Sequence, residues 1–269
     1  VERVRVGESG WVSIQEMATR LGGSADLFAT DPGRCATASG NYVACQDGFT
    51  MADLTRYRHK HNERNGEDNR DGTNDNHSVN FGYEGPSDDP IIIQQRERAM
   101  ANMLGMLLLS LGTPMLLSGD EFGNSQNGNN NAYMQDNPTT WLDWDWLYST
   151  EQTPELKQFD LVSRLIALRK SRDLYDHEDF FTRLSKIGLL KRSDRVHWFL
   201  PSGHAPHDAD WTYPAVRTFA MQLLSPDGSV PIILINRSVV ITRFLPPSDK
   251  AWDMASFSAE FPVHTHRQC

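Results

Sequence analysis

The 269-residue chain has few cysteines, no long apolar run and no excess of positive charge. Its three cysteines, Cys35, Cys45 and Cys269, are odd in number and scattered, which indicates free thiols in a reducing compartment rather than a disulfide framework. No stretch reaches the roughly 18 consecutive apolar residues of a membrane span, and the first ten residues lack the apolar centre of a signal peptide. The net charge of −9 disfavours a nucleic acid or an anionic membrane as partner.

The composition does contain enough apolar material for a sizeable core. Hydrophobic residues make up 39% of the chain and charged residues 23%, with a mean hydropathy of −0.52. This length suffices for one large globular domain or two ordinary ones. Because the sequence does not begin with Met, we expect it to be a piece of a longer protein.

The most informative segment runs from Thr113 to Trp146. A short apolar run, Met115–Leu117, leads into Gly119-Asp120-Glu121, and a loop rich in Asn, Gln and Gly follows. Four aromatic positions come next, at Tyr133, Trp141, Trp144 and Trp146. A buried strand that brings carboxylates, amides and flat rings to one rim suits a sugar site, because polar groups bind hydroxyls and indoles stack on pyranose rings. The alternative, favoured by composition alone, is an ordinary polar loop closed by Trp packing.

The preceding part of the chain predicts a strand, a long loop, a helix and a second strand. The strand candidate Gly40–Cys45 ends at an Asp-Gly turn, which places Asp47 at its carboxyl tip. The loop over 58–90 is too long for a plain connection and is expected to be functional or disordered. Asp89-Pro90 then starts a helix that Gly112 ends, before the strand Met115–Leu117. Strand, helix and strand in this order predict a βαβ unit with a parallel sheet.

Other helices and a change of pattern complete the predicted architecture. Ser13–Leu21 is helix-like, and Thr153-Pro154 starts a further helix. The charged stretch Asp173–Asp179 is the predicted linker, which gives one domain at 1–175 and a second at 176–269. Beyond the linker, short strand-like runs separated by turn signals predict a small antiparallel β-domain. These runs are 196–200, 216–224, 231–235 and 239–245.

Five runs of the sequence carry a resemblance to a known family. They are NYVACQD at 41–47, HKHNERNGEDNRDGTN at 59–74, LLLSLGTPMLLSGDEFG at 107–123, GNNNAYMQDN at 128–137 and TWLDW at 140–144. In this order they resemble the isoamylase-type glycogen debranching enzymes of glycoside hydrolase family 13, in the α-amylase superfamily. The match runs roughly from Ser9 to Leu245. The resemblance implies a (β/α)8 TIM barrel followed by a C-terminal β-sandwich.

The resemblance also implies that much of the barrel is absent from this sequence. If the strand ending at Asp47 is barrel strand seven and Met115–Leu117 is strand eight, residues 1–175 are the C-terminal part of the barrel. Residues 176–269 are then the β-sandwich domain, truncated or irregular at its end. The family's nucleophile on strand four lies in a Gly-x-Arg-x-Asp context, which this sequence does not contain, and its acid/base Glu lies on strand five. We therefore expect the chain to lack hydrolase activity on its own, and its apolar Leu107–Leu109 stretch to be exposed.

Asp47 is the only catalytic residue that the resemblance implies for this chain. It matches the family's third carboxylate, which binds the 2- and 3-hydroxyls of the reacting glucose and stabilises the oxocarbenium-like transition state. The alternative is a structural turn aspartate. Gln46 stands where the family has His, and an amide cannot supply the charge-assisted part of that sugar contact, a loss of about 1 kcal/mol or more.

Further substrate-binding residues are expected along the rim of the cleft, and no metal or cofactor is expected. They are Gln46, His61, Asn62, Asp120, Glu121, Asn129, Asn130, Asn131 and Tyr133. Structural hydrogen bonding within the loops is the alternative for the carboxylates and amides. Trp141 and Trp144 are expected to pack beneath the rim. The tail motif His264-x-His266-x-x-Cys269 lacks a fourth zinc ligand.

Three functions remain open on the sequence. The first is retaining cleavage of α-1,6 branches in glycogen or limit dextrin, in the bacterial cytoplasm, with this chain as one portion of the enzyme. The second is an α-1,4-acting or transglycosylating member of the superfamily, because specificity lies in loops. The third is a non-catalytic glucan-binding derivative, which Gln46 and the missing nucleophile favour.

Overall fold

The computed structural model describes residues 13–28, 34–170, 196–223, 232–237 and 242–245, which form an α/β chain. The helices are α1 (Ile14–Leu21), α2 (Ala25–Phe28), α3 (Pro90–Leu109) and α4 (Pro154–Lys170). The strands are β1 (Gly40–Asn41), β2 (Thr113–Pro114), β3 (Val196–Phe199), β4 (Thr218–Leu223) and β5 (Ile232–Asn236). The described residues divide into a sheet unit, within 1–42, 107–115 and 166–252, and a loop unit, within 43–106 and 116–165. No helix of the described ranges is long and apolar enough to cross a membrane.

Local capping explains where the three longer helices begin. The Ser13 hydroxyl accepts a hydrogen bond from the Glu16 amide at 3.1 Å. The Asp89 carboxylate accepts one from the Ile91 amide at 2.8 Å. The Thr153 hydroxyl accepts one from the Leu156 amide at 3.2 Å. These side chains satisfy amides that have no partner inside their helix, so the predicted helix starts are confirmed.

Strands β1 and β2 pair in parallel, with Gly40 opposite Thr113 and Asn41 opposite Pro114. Helix α3 lies between them in the chain, so the predicted parallel βαβ unit is confirmed. Both strands are shorter than predicted, because the last ladder hydrogen bond runs from the Met115 amide to the Asn41 carbonyl at 2.7 Å. The expectation of a buried strand at Met115–Leu117 was wrong, since β2 ends at Pro114 and Met115 is 45% exposed.

The turn between α3 and β2 is fixed by close packing and by an arginine. Gly112 has a φ of +115°, and a Cβ at this position would lie 2.9 Å from the Ser39 carbonyl oxygen. Arg169 donates to the carbonyls of Leu108 at 2.8 Å and Ser110 at 2.7 Å, and also to that of Gly112. Leu108 lies in the last turn of helix α3, where carbonyls have no acceptor role inside the helix, and Ser110 and Gly112 follow the helix. Leu107–Leu109 is buried, so the expectation that this stretch is exposed was wrong.

Strands β3, β4 and β5 form an antiparallel sheet in that order. Val196 lies opposite Leu223, and Thr218 lies opposite Asn236. Strand β4 is buried over most of its length, and the ring of its Phe219 packs 5.8 Å from that of Trp198. The three strands confirm the first three predicted runs; in the fourth, 239–241 lies outside the described residues and 242–245 forms no strand. The predicted linker and the His264–Cys269 tail also lie outside them.

Candidate functional site

The site is built in the loop unit around Asp47. Gln46 and Asp47 are exposed, and neither side chain makes a hydrogen bond within the described part of the chain. Gly48 follows with a φ of +111°, a conformation that glycine adopts without strain. The Asp47 carboxylate is therefore open to hydroxyl donors from a ligand.

The segment that carries Asp47 is held at three points. We call residues 46–53 the tip segment and residues 119–131 the amide loop. The Gly48 amide donates to the Asn130 carbonyl at 3.0 Å, and the Met51 amide donates to Asp120 Oδ1 at 2.9 Å. The buried Asp53 carboxylate accepts the Gln126 amide at 2.8 Å and the hydroxyl of Ser125. The amide loop thus holds the tip segment at Gly48, Met51 and Asp53.

Asp120 and Glu121 lie within this framework. Asp120 is 1% exposed, and its Oδ2 atom is buried without a partner among the described residues. Burial raises the pKa of Asp120 to about 7; the Met51 amide opposes this rise, while the charges of Glu121 and Asp53 add to it. The half-buried Glu121 accepts the Gly119 amide at 2.7 Å. Neither carboxylate is exposed to solvent as Asp47 is. This arrangement matches the alternative given above, in which Asp120 and Glu121 make structural hydrogen bonds within the loops.

Asn62 and Asn130 form a reciprocal pair. Asn62 Nδ2 donates to Asn130 Oδ1 at 2.9 Å, and the Asn130 amide donates to Asn62 Oδ1 at 3.0 Å. Asn62 is 0% exposed and Asn130 is 2% exposed. Both amides are therefore used inside the protein, although the sequence predicted them at a sugar-binding rim.

Asn65, Asn129 and Asn131 extend the same network to Asp71. Asn129 Nδ2 donates to Asn65 Oδ1 at 2.8 Å. Asp71 Oδ2 accepts Asn65 Nδ2 at 2.6 Å and Asn131 Nδ2 at 2.9 Å, and these two hydrogen bonds lower the pKa of Asp71. Lys60 Nζ caps the adjacent turn by donating to the carbonyls of residues 70, 71 and 72, the shortest contact being 2.6 Å to Asp71. This part of the long 58–90 loop is folded around its own amides.

His61 remains half-exposed, beside a carboxylate that the sequence reasoning missed. Its amide donates to the Gly128 carbonyl at 2.7 Å, and its Nε2 lies 3.2 Å from Glu84 Oε1. Burial raises the pKa of Glu84, but hydrogen bonds from the amides of His59 and Arg58, and from Asn80 and His61, outweigh it and lower the pKa to about 2. The only sequence signal for Glu84 is its place between two glycines, Gly82 and Gly85, both with positive φ.

The aromatic residues of the segment separate into exposed and packed rings. Tyr133 is 81% exposed and Trp141 is 58% exposed, its Nε1 donating to Asp136 Oδ1 at 2.9 Å. Trp144 is also exposed, although its ring lies 4.9 Å from that of Phe122. The expectation that Trp141 packs beneath the rim was wrong, because its indole is solvent-exposed; the buried indole is that of Trp146.

Chemically, the exposed groups suit a polyhydroxylated ligand. Asp47 offers acceptors, Gln46 offers a donor and an acceptor, and Tyr133 offers a flat ring with a hydroxyl. No group of three or more His, Cys, Asp or Glu side chains in the described ranges could hold a metal ion.

Comparisons with known proteins give sequence relatives. No family model matches the chain. It is 42% identical over 202 residues to a glycogen operon protein GlgX homolog of Mycobacterium bovis, a match that covers 74% of this chain and 27% of that protein. It is 54% identical over 135 residues to a glycogen debranching enzyme of Erwinia tasmaniensis, covering 50% of this chain and 20% of that enzyme.

A pullulanase from Bacillus acidopullulyticus aligns with 82% of this chain and 20% of its own, at a TM-score of 0.49 and 16% identity, a likeness too weak to establish the fold. The chain spans 27% or less of the length of the two curated relatives above. The resemblance predicted from the sequence is nevertheless confirmed by these relatives: the chain is similar to part of the bacterial glycogen debranching enzymes, which are glycoside hydrolases.

Proposed function

We propose that this chain is part of a retaining glycoside hydrolase that cleaves α-1,6 branch linkages in glycogen or limit dextrin, in the bacterial cytoplasm and without a cofactor. Strand β1, helix α3 and strand β2 would belong to the C-terminal part of a (β/α)8 barrel, with β1 and β2 as strands seven and eight. Strands β3–β5 would belong to a C-terminal β-sandwich. The similarity to glycogen debranching enzymes and the parallel β1–α3–β2 unit support this arrangement.

The observation that carries the proposal is the state of Asp47. Its carboxylate is exposed and has no partner among the described side chains and amides, while Gly48, Met51 and Asp53 are each held by the amide loop. A fixed, unpaired acceptor can take hydrogen bonds from the 2- and 3-hydroxyls of a glucose ring. Those bonds strengthen as the ring becomes oxocarbenium-like, so Asp47 stabilises the transition state. The nucleophile and the acid/base would come from another part of the enzyme.

Gln46 supports a second candidate, a non-catalytic glucan-binding derivative. Its amide is exposed beside Asp47, where it can still donate to a sugar hydroxyl. It cannot carry a positive charge, so the charge-assisted part of the sugar contact is missing. A protein with Gln46 and intact loops would then retain glucan binding and lose turnover.

The experiment that tests both candidates transfers a continuous segment that contains the loop unit into an enzyme with the remaining parts. Residues 34–170 replace the matching segment of the Mycobacterium bovis relative, and release of linear chains from a branched dextrin is measured. We expect debranching, with Asp47→Asn lowering the rate on the order of 10²–10³-fold, as for loss of a transition-state contact. Asp88→Asn, at an exposed carboxylate, is the matched control. Equal rates for these two variants would refute the role of Asp47. An inactive chimera that binds dextrin and recovers turnover with Gln46→His would favour the second candidate.

A further inference from the structure

We infer that Asn62 and Asn130 are positioning residues that hold Asp47 in place, rather than contacts to the glucan. The inference rests on the proposed function of Asp47. It assigns these two asparagines a role through the protein backbone, in place of the sugar contact that the sequence predicted.

Every polar group of Asn130 is already committed. Its amide donates to Asn62 and its side-chain oxygen accepts from Asn62, at 3.0 and 2.9 Å. Its Nδ2 donates to the Thr73 carbonyl at 2.8 Å and to Asn76 Oδ1 at 2.6 Å. Its carbonyl accepts the Gly48 amide at 3.0 Å. Both hydrogens of this side chain are donated and its oxygen already accepts, and at 2% exposure it presents no accessible group to a sugar hydroxyl.

Asn62 determines where Asn130 lies. Its side chain brackets that residue, holding the main-chain amide with one atom and the side-chain oxygen with the other. Asn62 is itself fixed, because its own amide donates to Asn69 Oδ1 at 2.9 Å and its Nδ2 donates to the Asp71 carbonyl at 3.0 Å. The neighbouring Gly72 closes the site, since a Cβ there would lie 2.3 Å from Asn130 Oδ1 and 2.7 Å from Asn62 Nδ2.

A continuous chain of contacts therefore joins Asn62 to the candidate catalytic carboxylate. Asn62 holds Asn130, the Asn130 carbonyl holds the Gly48 amide, and Gly48 is bonded covalently to Asp47. Gly48 has a positive φ and no side chain, so the hydrogen bond on its amide restrains a residue that is otherwise free to rotate. If Asn62 is lost, the turn at Gly48 gains freedom and the carboxylate of Asp47 is spread over more positions. Misplacement of a reactive group by about 1 Å is enough to lower its effect substantially.

The test measures the turn and the ligand separately, in the 269-residue chain. Amide hydrogen exchange at Gly48 is compared in wild type, Asn62→Ala and Asn74→Ala, a control at an exposed asparagine of the same loop. Exchange at Leu104 in helix α3 reports on the rest of the loop unit, and exchange at Met221 in strand β4 reports on the sheet unit. Asn76→Ala, which removes only one bond from Asn130, is the milder second variant should Asn62→Ala fold poorly.

We expect Gly48 exchange to accelerate in Asn62→Ala, and less in Asn76→Ala, while exchange at Leu104 and Met221 is unchanged. Binding of maltotetraose should weaken by about five- to ten-fold in Asn62→Ala, the equivalent of one hydrogen bond. In an Asp47→Asn background, Asn62→Ala should cost nothing more, because residues acting through one another are not additive.

Two results would overturn the inference. One is Gly48 exchange in Asn62→Ala that equals that of the Asn74→Ala control. The other is a loss of maltotetraose affinity that adds in full to that of Asp47→Asn, which indicates a direct contact or a general structural defect. If Asp47→Asn alone leaves affinity unchanged, Asp47 does not contact the ground-state ligand, its proposed function is decided by the debranching rates of the chimera, and Gly48 exchange still decides whether Asn62 fixes the turn.

Discussion

The buried carboxyl of Asp120 should make the chain less stable as the pH rises. Its Oδ1 accepts the Met51 amide at 2.9 Å, and its Oδ2 is buried with no partner among the described atoms. The substitution that tests this is Asp120→Asn. Asparagine keeps the oxygen that accepts from Met51 and stays neutral at every pH.

The direction and size of the change in stability with pH follow from the pKa values of Asp120 in the folded and unfolded chain. The pKa of Asp120 is about 7 in the folded chain, against 3.8 for an ordinary aspartyl carboxyl. The folded state therefore holds this proton more tightly than the unfolded state, so the free energy of unfolding falls as the pH rises from about 4 to about 7 and then levels off. One pKa unit corresponds to about 1.4 kcal/mol, so the full cost of ionising Asp120 in the fold is on the order of 4 kcal/mol. Between about pH 5 and pH 8 the expected fall is roughly 2–3 kcal/mol.

Urea unfolding followed by tryptophan fluorescence measures this difference. The stability advantage of Asp120→Asn over wild type should grow by roughly 2–3 kcal/mol between about pH 5 and about pH 8, because only wild type carries the ionising carboxyl. The pKa of Asp53 is also raised, mainly by burial. Because Asp53 is present in both proteins, its contribution cancels to first order in the difference between their free energies of unfolding. Asp88→Asn, at an exposed carboxylate, should follow wild type at every pH. Parallel stability profiles for wild type and Asp120→Asn would refute the reasoning.

Three further substitutions test the framework of the loop unit. Glu84→Gln should destabilise the chain at neutral pH by about 1–3 kcal/mol. In wild type this contribution is lost as the pH falls from 4.5 towards 2, so the variant should lack that fall in stability. Acid titrations of the free energy of unfolding decide it, and Glu67→Gln, at an exposed carboxylate, should behave like wild type. Gly128→Ala should lower the melting temperature more than Gly66→Ala. Both glycines have φ near +78°, but only a Cβ at residue 128 meets neighbouring rings, at 2.7 Å. Equal falls in melting temperature would show that backbone strain alone matters. Lys60→Met should lower the free energy of unfolding in urea by about 2–3 kcal/mol, because three carbonyls lose a charged donor. An unchanged free energy of unfolding would count against the role of Lys60 in capping this turn.

The features that local chemistry determines were predictable from the sequence. Ser13, Asp89 and Thr153 cap helices at the predicted places, because a cap needs only its own first turn. The parallel pairing of β1 and β2 was also predicted, since a strand, a helix of this length and a second strand leave few alternatives. Strand bounds were predicted less well: pairing depends on a partner far along the chain, and the ladder ends at Met115.

The partners inside the candidate site could not be predicted from residue types. Asn62 and Asn130 are 68 positions apart, and an asparagine that binds a sugar looks the same in a sequence as one that binds another asparagine. Trp141 illustrates the reverse error, because an indole expected to pack beneath the rim is exposed and donates to Asp136. The sequence predicted the Asp-Gly turn at Asp47, whereas the role of Asp47 stays a prediction.

The abundance of asparagine in these loops has a physical reason that the network makes visible. An asparagine side chain carries a donor and an acceptor on one rigid plane, so Asn62 can hold both the amide and the side-chain oxygen of Asn130 at once. A carboxylate at that place would set an uncompensated charge in a buried site and repel the oxygen it faces, at a cost of several kcal/mol. Neutral amides therefore make up the buried part of this network, and two charged groups that join it are satisfied there, Asp71 by amide donors and Lys60 by carbonyls. Asp47 lies beside this network as an exposed carboxylate, next to the Gly48 amide that the Asn130 carbonyl holds.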